Sequence, residues 1–193
     1  MSVETESVDL VGDEAVENVA RAAVFAALTG ALAYVSFPNP VSPVPVTMQV
    51  LGVFLAGLYL GPLWGGVSLS LYVAAGAVGA PVYAGGSAGL GALLGPYGGY
   101  LWAYPVAAAL TGLVAHGASD LANPRNVGVP RLVAAMLAGT VVIYAGGTVG
   151  YAVVANVGLY EAFVVAAAAF VPAEAFKIAA AVGITRSDQL NAT

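Results

Sequence analysis

From residue 22 to residue 119 the chain contains no Asp, Glu, Lys or Arg, and a second charge-free stretch runs from residue 132 to residue 160. A soluble fold of 193 residues needs charge along every exposed face, so hydrocarbon must replace water as the solvent here. Composition agrees: 60% of the residues are hydrophobic, 8% are charged, and the mean hydropathy is +0.91. Runs such as 101–115 and 132–145 do not alternate apolar with polar, which argues against a membrane β-barrel. The expected fold is an all-α membrane protein of about six transmembrane helices in one compact bundle.

The pattern divides the chain into an acidic tail (1–17), a membrane domain (18–186) and a short C-terminal tail (187–193). Six of the ten acids fall within residues 1–20, beside no base. This segment reads either as a solvated terminus or as an acidic docking arm. It lacks the basic start of a secretory signal, so the first hydrophobic segment is expected to remain in the mature protein. With no Cys and a single His116, thiolate metal sites, cysteine nucleophiles and His-rich metal sites are all excluded.

A first helix is expected over about 18–36. Its small residues recur every four positions, with Ala22, Ala26 and Gly30 forming one stripe. That stripe serves either internal packing or docking of another membrane subunit. Four prolines within 37–45 (Pro38, Pro40, Pro43, Pro45) forbid helix and predict a stiff, extended connection. Helices over 46–60 and 63–78 follow, separated by a tight turn at Gly61-Pro62. Residues 79–99 hold eight glycines and two prolines yet little polarity. Irregular backbone of this kind survives at membrane depth only when buried in protein or lining a cavity. Further helices are expected over 99–116 and 131–155. The last apolar stretch, 159–184, is broken by Pro172, where a new helix should open.

Basic residues set the orientation. With six crossings and an inner N-terminus, Arg21, Arg125, Arg131 and Arg186 all fall on the inner side and none on the outer. Both termini are thus expected in the cytoplasm, with the Pro-rich loop, the Gly-rich segment and 172–177 facing outward. The cell membrane is the expected location.

Lys177 is the only lysine and lies away from that inner boundary. An ammonium within a bundle is costly, so it is either a ligand anchor or half of a structural ion pair. Glu174, three residues earlier, is its expected counter-ion, placed in a helix first turn where the macrodipole favours a carboxylate. Gln49 offers a full amide just inside the second helix, for a ligand or for helix–helix bonding. Tyr72, Tyr83, Tyr97, Tyr100, Trp102 and Tyr104 gather near outer helix ends, as an interfacial belt or a pocket lining. Tyr83 and Tyr97 interrupt the Gly-rich segment itself and suit a pocket better. Asn156 reads as a helix cap. His116 and Asp120 read as solvated inner-boundary residues.

The Gly-rich segment has neither a P-loop ending nor a strand context, so no ATP site is expected. No Ser-His-Asp grouping, acidic pair or metal motif appears. The chain reads as a binding or transport protein and not as an enzyme, with no cofactor and no nucleic-acid partner.

Several segments together resemble the BioY family, the biotin-specific substrate-binding subunits of energy-coupling-factor vitamin transporters. They are Pro43-Val-Pro-Val-Thr-x-Gln49, Leu60-Gly-Pro-x-x-Gly65, and Ser68-x-x-x-Tyr72-x-x-x-Gly76-x-x-Gly79-x-Pro81-Val-Tyr-Ala-Gly-Gly86. Gly95-Pro-x-Gly-Gly-Tyr-Leu101 and Phe170-x-Pro-x-Glu-x-x-Lys177 complete the series. The resemblance implies capture of biotin from outside and assembly with a transmembrane coupling subunit and two ATPases. Substrate-binding residues are then expected at Gln49, Tyr72, Tyr83, Gly85, Gly86, Tyr97, Glu174 and Lys177, and partner docking at Ala22, Ala26 and Gly30. Three positions depart from the family pattern: Tyr97 stands where a Thr is usual, Ala173 where a Gly is usual, and Glu174 where an Asp is usual. A related carrier for another small vitamin is the alternative.

Overall fold

The computed structural model describes residues 12–40, 42–117 and 121–187. Helix α1 (Asp13–Leu32) starts five residues earlier than the sequence suggests, so residues 13–17 of the expected acidic tail are helical. An i,i+4 ion pair, Glu17–Arg21 at 2.7 Å, supports this added turn. The Pro-rich connection is flanked by a two-residue antiparallel ladder, β1 (Ser36–Phe37) on β2 (Val46–Thr47). The strands take residues at each side that the sequence assigns to helix, because the prolines between them hold the chain extended.

Helix α2 (Gln49–Ala77) is continuous by length but doubles back at Gly61, whose φ of +74° and ψ of −173° leave the helical region. Pro62 opens the returning limb. Two observations establish the reversal. Gln49 Nε2 lies 2.5 Å from Tyr72 Oη, although 23 positions of straight helix would separate them by about 35 Å. A Cβ at Gly65 would sit 3.0 Å from Gly57 Cα, so the limbs touch at their glycines. The tight turn expected at Gly61-Pro62 is present.

After α2 comes a looped segment holding a 3₁₀ turn at Ala84–Gly86 and the single-turn helix α3 (Leu90–Leu93). Helix α4 (Gly98–His116) descends beside α2, and α5 (Val129–Ala155) returns beside α4. Asn156 caps α5 in the left-handed region at φ +55°, as its side chain permits. Helix α6 (Leu159–Ala166), a 3₁₀ turn and α7 (Val171–Arg186) then run back along α5 as one interrupted pass. Pro172 lies in the first turn of α7, as anticipated.

Among the described residues, five helical stretches are long and apolar enough to cross a membrane, and one of them is the α2 hairpin. Its limbs are only about 18 and 24 Å long, against roughly 30 Å of hydrocarbon. The missing length at one end is made up by loop structure. A recess forms there.

The bundle has two distinct ends. The Pro-rich and Gly-rich segments, Gln49 and Lys177 lie at one. At the other, Arg131 donates to the Val114 carbonyl and Arg186 to the carbonyls of Arg125 and Val127. His116 sits at this second end but is buried, its Nε2 2.8 Å from the Leu58 carbonyl. This corrects its reading as a solvated residue: the carbonyl, close to the break at Gly61, uses the imidazole as a partner. Asp120 lies outside the described residues.

Candidate binding site

The recess is a cavity lined by Val44, Pro45, Gln49, Val50, Tyr83, Ala84, Ser87, Ala92, Tyr97, Tyr100, Leu101, Tyr104, Ile143, Tyr144, Phe170 and Lys177. The cavity volume is about 50 Å³, and about 560 Å³ when all the space between the lining atoms, open mouth included, is counted.

Its polar wall is wired through a chain of hydrogen bonds. The Thr47 hydroxyl donates to Gln49 Oε1 at 2.7 Å, and Gln49 Nε2 donates to Tyr72 Oη at 2.5 Å. The Tyr72 hydroxyl donates in turn to the Val82 carbonyl at 3.0 Å. The chain joins β2, both limbs of α2 and the Gly-rich segment. It also fixes which way the Gln49 amide faces.

Tyr83 is held from the other side. Its hydroxyl donates to the Val73 carbonyl at 2.5 Å and its ring packs against Gly76. A Cβ at position 76 would come within 2.1 Å of Tyr83 Cζ, so only glycine leaves room for the ring. Burial pushes the Tyr83 phenol above its ordinary pKa, which keeps the hydroxyl a donor. Tyr72 meets Tyr83 edge-on at 5.6 Å and stacks near Tyr104 at 6.3 Å. A second cluster joins Tyr100, Tyr144 and Phe170, with ring centroids 5.8 to 6.4 Å apart. Tyr100 is anchored by a 2.5 Å bond to the Ala166 carbonyl.

The charged wall comes from α7. Lys177 and Glu174 are 2% and 4% exposed, so their pairing excludes water. Lys177 Nζ donates to Glu174 Oε1 at 2.5 Å, and the Tyr144 hydroxyl donates to the same oxygen at 2.7 Å. Glu174 Oε2 is buried with no partner among the described residues.

At the mouth, the Tyr97 hydroxyl reaches the Pro43 carbonyl at 3.3 Å and so bridges the two loops. Of the expected ligand-contacting residues, Gln49, Tyr83, Tyr97 and Lys177 line the cavity. Tyr72 and Glu174 stand behind Gln49 and Lys177. Gly85 and Gly86 shape the 3₁₀ turn that presents Ala84 and Ser87, without lining the cavity themselves.

Sequence reasoning missed Tyr144 and Phe170. Tyr144 carried a usable signal: it is a phenol in the middle of a charge-free span, away from the interfaces where tyrosines gather, so its hydroxyl needed a buried partner.

The stripe on α1 follows the first of its two readings, internal packing. Ala22 is fully buried, with its carbonyl accepting from Ser68 Oγ at 2.8 Å, and Gly30 packs on Val82. Ala26 is half-buried against the core. These three residues face the α2 hairpin and the Gly-rich segment. The neighbouring row, Ala23, Ala27 and Ala31, is the exposed one.

An all-helical membrane bundle with a loop-roofed, aromatic cavity and one buried ion pair defines a small-molecule binding protein of the transporter class. This chain belongs to the BioY family, whose profile it matches over residues 4–191. It is 37% identical over 176 residues to the "Probable biotin transporter BioY" of Pyrococcus horikoshii, covering 91% of this chain and 98% of that one. It is also 37% identical over 174 residues to the "Biotin transporter BioY" of Rhizobium etli, covering 86% and 89%. A crystal structure of the "S-component for biotin from an ECF-type ABC transporter" superposes with a TM-score of 0.79 at 25% identity, covering 95% of each chain.

Proposed function

We propose that this chain captures biotin in the loop-roofed cavity, as the substrate-binding subunit of an energy-coupling-factor transporter. The observation that carries the reading is the buried Lys177–Glu174 pair at the wall of an otherwise uncharged aromatic cavity, in a chain of this family. Biotin has an apolar bicyclic body and tail, a ureido group that needs donors and acceptors, and a carboxylate. The tyrosine rings suit the first, the wired Gln49 amide suits the second, and Lys177 suits the third.

The cavity faces outward in this reading, because Arg125, Arg131 and Arg186 gather at the opposite end, as basic residues do on the cytoplasmic side. A coupling subunit docks on the exposed α1 row of Ala23, Ala27 and Ala31, and two ATPases supply the energy.

Titration of the purified protein in detergent with biotin and a panel of other vitamins tests the proposal. Biotin should bind alone, and Lys177→Ala should weaken it by about 1.5–3 kcal/mol, the scale of a charge-assisted hydrogen bond. Equal affinity in the folded variant would remove Lys177 from the site. Preference for another vitamin would replace the ligand.

A further inference from the structure

As it stands the cavity encloses about 50 Å³, against roughly 300 Å³ or more for a site that takes up a small molecule. Part of its wall therefore moves aside when a ligand enters or leaves. Residues 79–89 form one side of that wall, contributing Tyr83, Ala84 and Ser87 to the lining.

This segment is a loop on narrow feet. The N–H groups of Gly79 and Gly89 both donate to the Gly76 carbonyl, at 3.1 and 2.7 Å. Both feet take positive φ, +108° and +84°, with nothing within 4 Å of a would-be Cβ. Feet of this kind leave the loop free to pivot, so its place is set by what holds it further along.

Three tyrosine hydroxyls hold it. Tyr72 donates to the Val82 carbonyl at 3.0 Å, and Tyr83 donates to the Val73 carbonyl at 2.5 Å. These two tie the loop to the second limb of α2, from which it springs. Both also serve the cavity itself, since Tyr72 supports Gln49 and Tyr83 lines the space. The third hydroxyl comes from elsewhere. Tyr34, two residues past the end of α1, donates to the Pro81 carbonyl at 2.5 Å, and its ring lies 3.5 Å from the place of a Cβ at Gly86. One turn earlier, Gly30 lets Val82 approach to 3.2 Å from its own Cβ position. Tyr34 neither lines the cavity nor joins the Gln49 chain.

We propose that Tyr34 is a positioning residue, a latch that holds residues 79–89 against α1 and sets how fast biotin enters and leaves the cavity, not how tightly it is held. This rests on the biotin reading above. The Tyr34–Pro81 bond touches no ligand, so the loop reseats on it whether or not biotin lies beneath. It breaks each time the loop lifts away from α1, on the way in and on the way out. Its loss lowers the barrier to both steps by the same amount and cancels in their ratio.

Tyr34→Phe keeps the ring at Gly86 and removes only the hydroxyl. Radiolabelled biotin should associate and dissociate about two- to fivefold faster, the scale of one exposed hydrogen bond, with Kd unchanged. Tyr34→Ala, which also takes the ring away, should raise both rates further. Locking the latch should have the opposite effect. A cysteine pair at positions 30 and 82 would stand within a few tenths of an ångström of the roughly 3.5–4.5 Å between Cβ atoms that a disulfide needs. In this Cys-free chain, the oxidised Gly30→Cys/Val82→Cys protein should exchange biotin several-fold more slowly than the same protein after reduction.

Wild-type exchange rates in both Tyr34 variants would overturn the latch, as would a crosslink that leaves the rates unchanged. Faster release alone, with a matching rise in Kd, would also overturn it, because Tyr34 would then support the bound complex and not the barrier. Failure of the wild-type protein to bind radiolabelled biotin would overturn the ligand reading, and the latch with it.

Discussion

Single atoms decide much of the site. Gly76 leaves its space to the Tyr83 ring, so Gly76→Ala must push that ring off the Val73 carbonyl or shift the second limb of α2. Overpacking of this kind costs about 1–3 kcal/mol. Gly183 in α7 has nothing within 4 Å of its would-be Cβ. Gly183→Ala should therefore be neutral or stabilise by up to about 1 kcal/mol through helix propensity. Thermal unfolding of the two variants in detergent checks the contrast. A Gly76→Ala protein as stable as wild type would show that Tyr83 is not seated as described. Such seats were hidden from sequence reasoning, which placed Gly76 and Tyr83 in one family-like segment but could not seat one on the other.

Among the elements, α1 shows best where sequence legibility ends. The charge gap and the paired small residues together identify a lipid-embedded helix with close-packing faces, and the structure agrees. The two rows, however, are chemically almost identical: Ala22, Ala26 and Gly30 in one, Ala23, Ala27 and Ala31 in the other. Only the position of the α2 hairpin decides which row turns inward, and that hairpin is a tertiary fact. The Pro172 break, the Gly61 turn and the Lys177–Glu174 pair were legible because each rests on local chemistry. Phe170 was not, since an aromatic ring in an apolar stretch reads as core until its neighbours are known, and the one signal at Tyr144, a phenol at mid-membrane depth, called for a buried partner without naming Glu174. The corrected register gives a prediction. Ala27→Leu should impair association with a coupling subunit in co-purification and leave biotin affinity unchanged. Ala22→Leu should lower stability, because its methyl already lies in a closed contact with the α2 hairpin. Loss of biotin binding in Ala27→Leu would mean that the outer row also serves the fold.

For the whole molecule, the roof is made from loops of opposite character. The segment between β1 and β2 is stiffened by proline; the one across from it is loosened by glycine. Tyr97 and Pro43 join them over the cavity. The Pro-rich segment should therefore be shielded when ligand is held beneath it. A cysteine placed at Ser42 in this Cys-free chain should label more slowly with saturating biotin. Rates indifferent to biotin would transfer the gating role to the Gly-rich segment.

The reversal at Gly61 also governs parity. Helix α1 rises toward the cavity, α2 goes down and up, α4 goes down, α5 up, and α6 with α7 down again. The described chain runs six times along the bundle axis, and the start of α1 lies at the same end of the bundle as the end of α7. A straight helix through position 61 would have made the count odd and put those ends at opposite ends of the bundle. One left-handed glycine thus determines whether reporters fused to the two ends share a solvent or face each other across the bilayer.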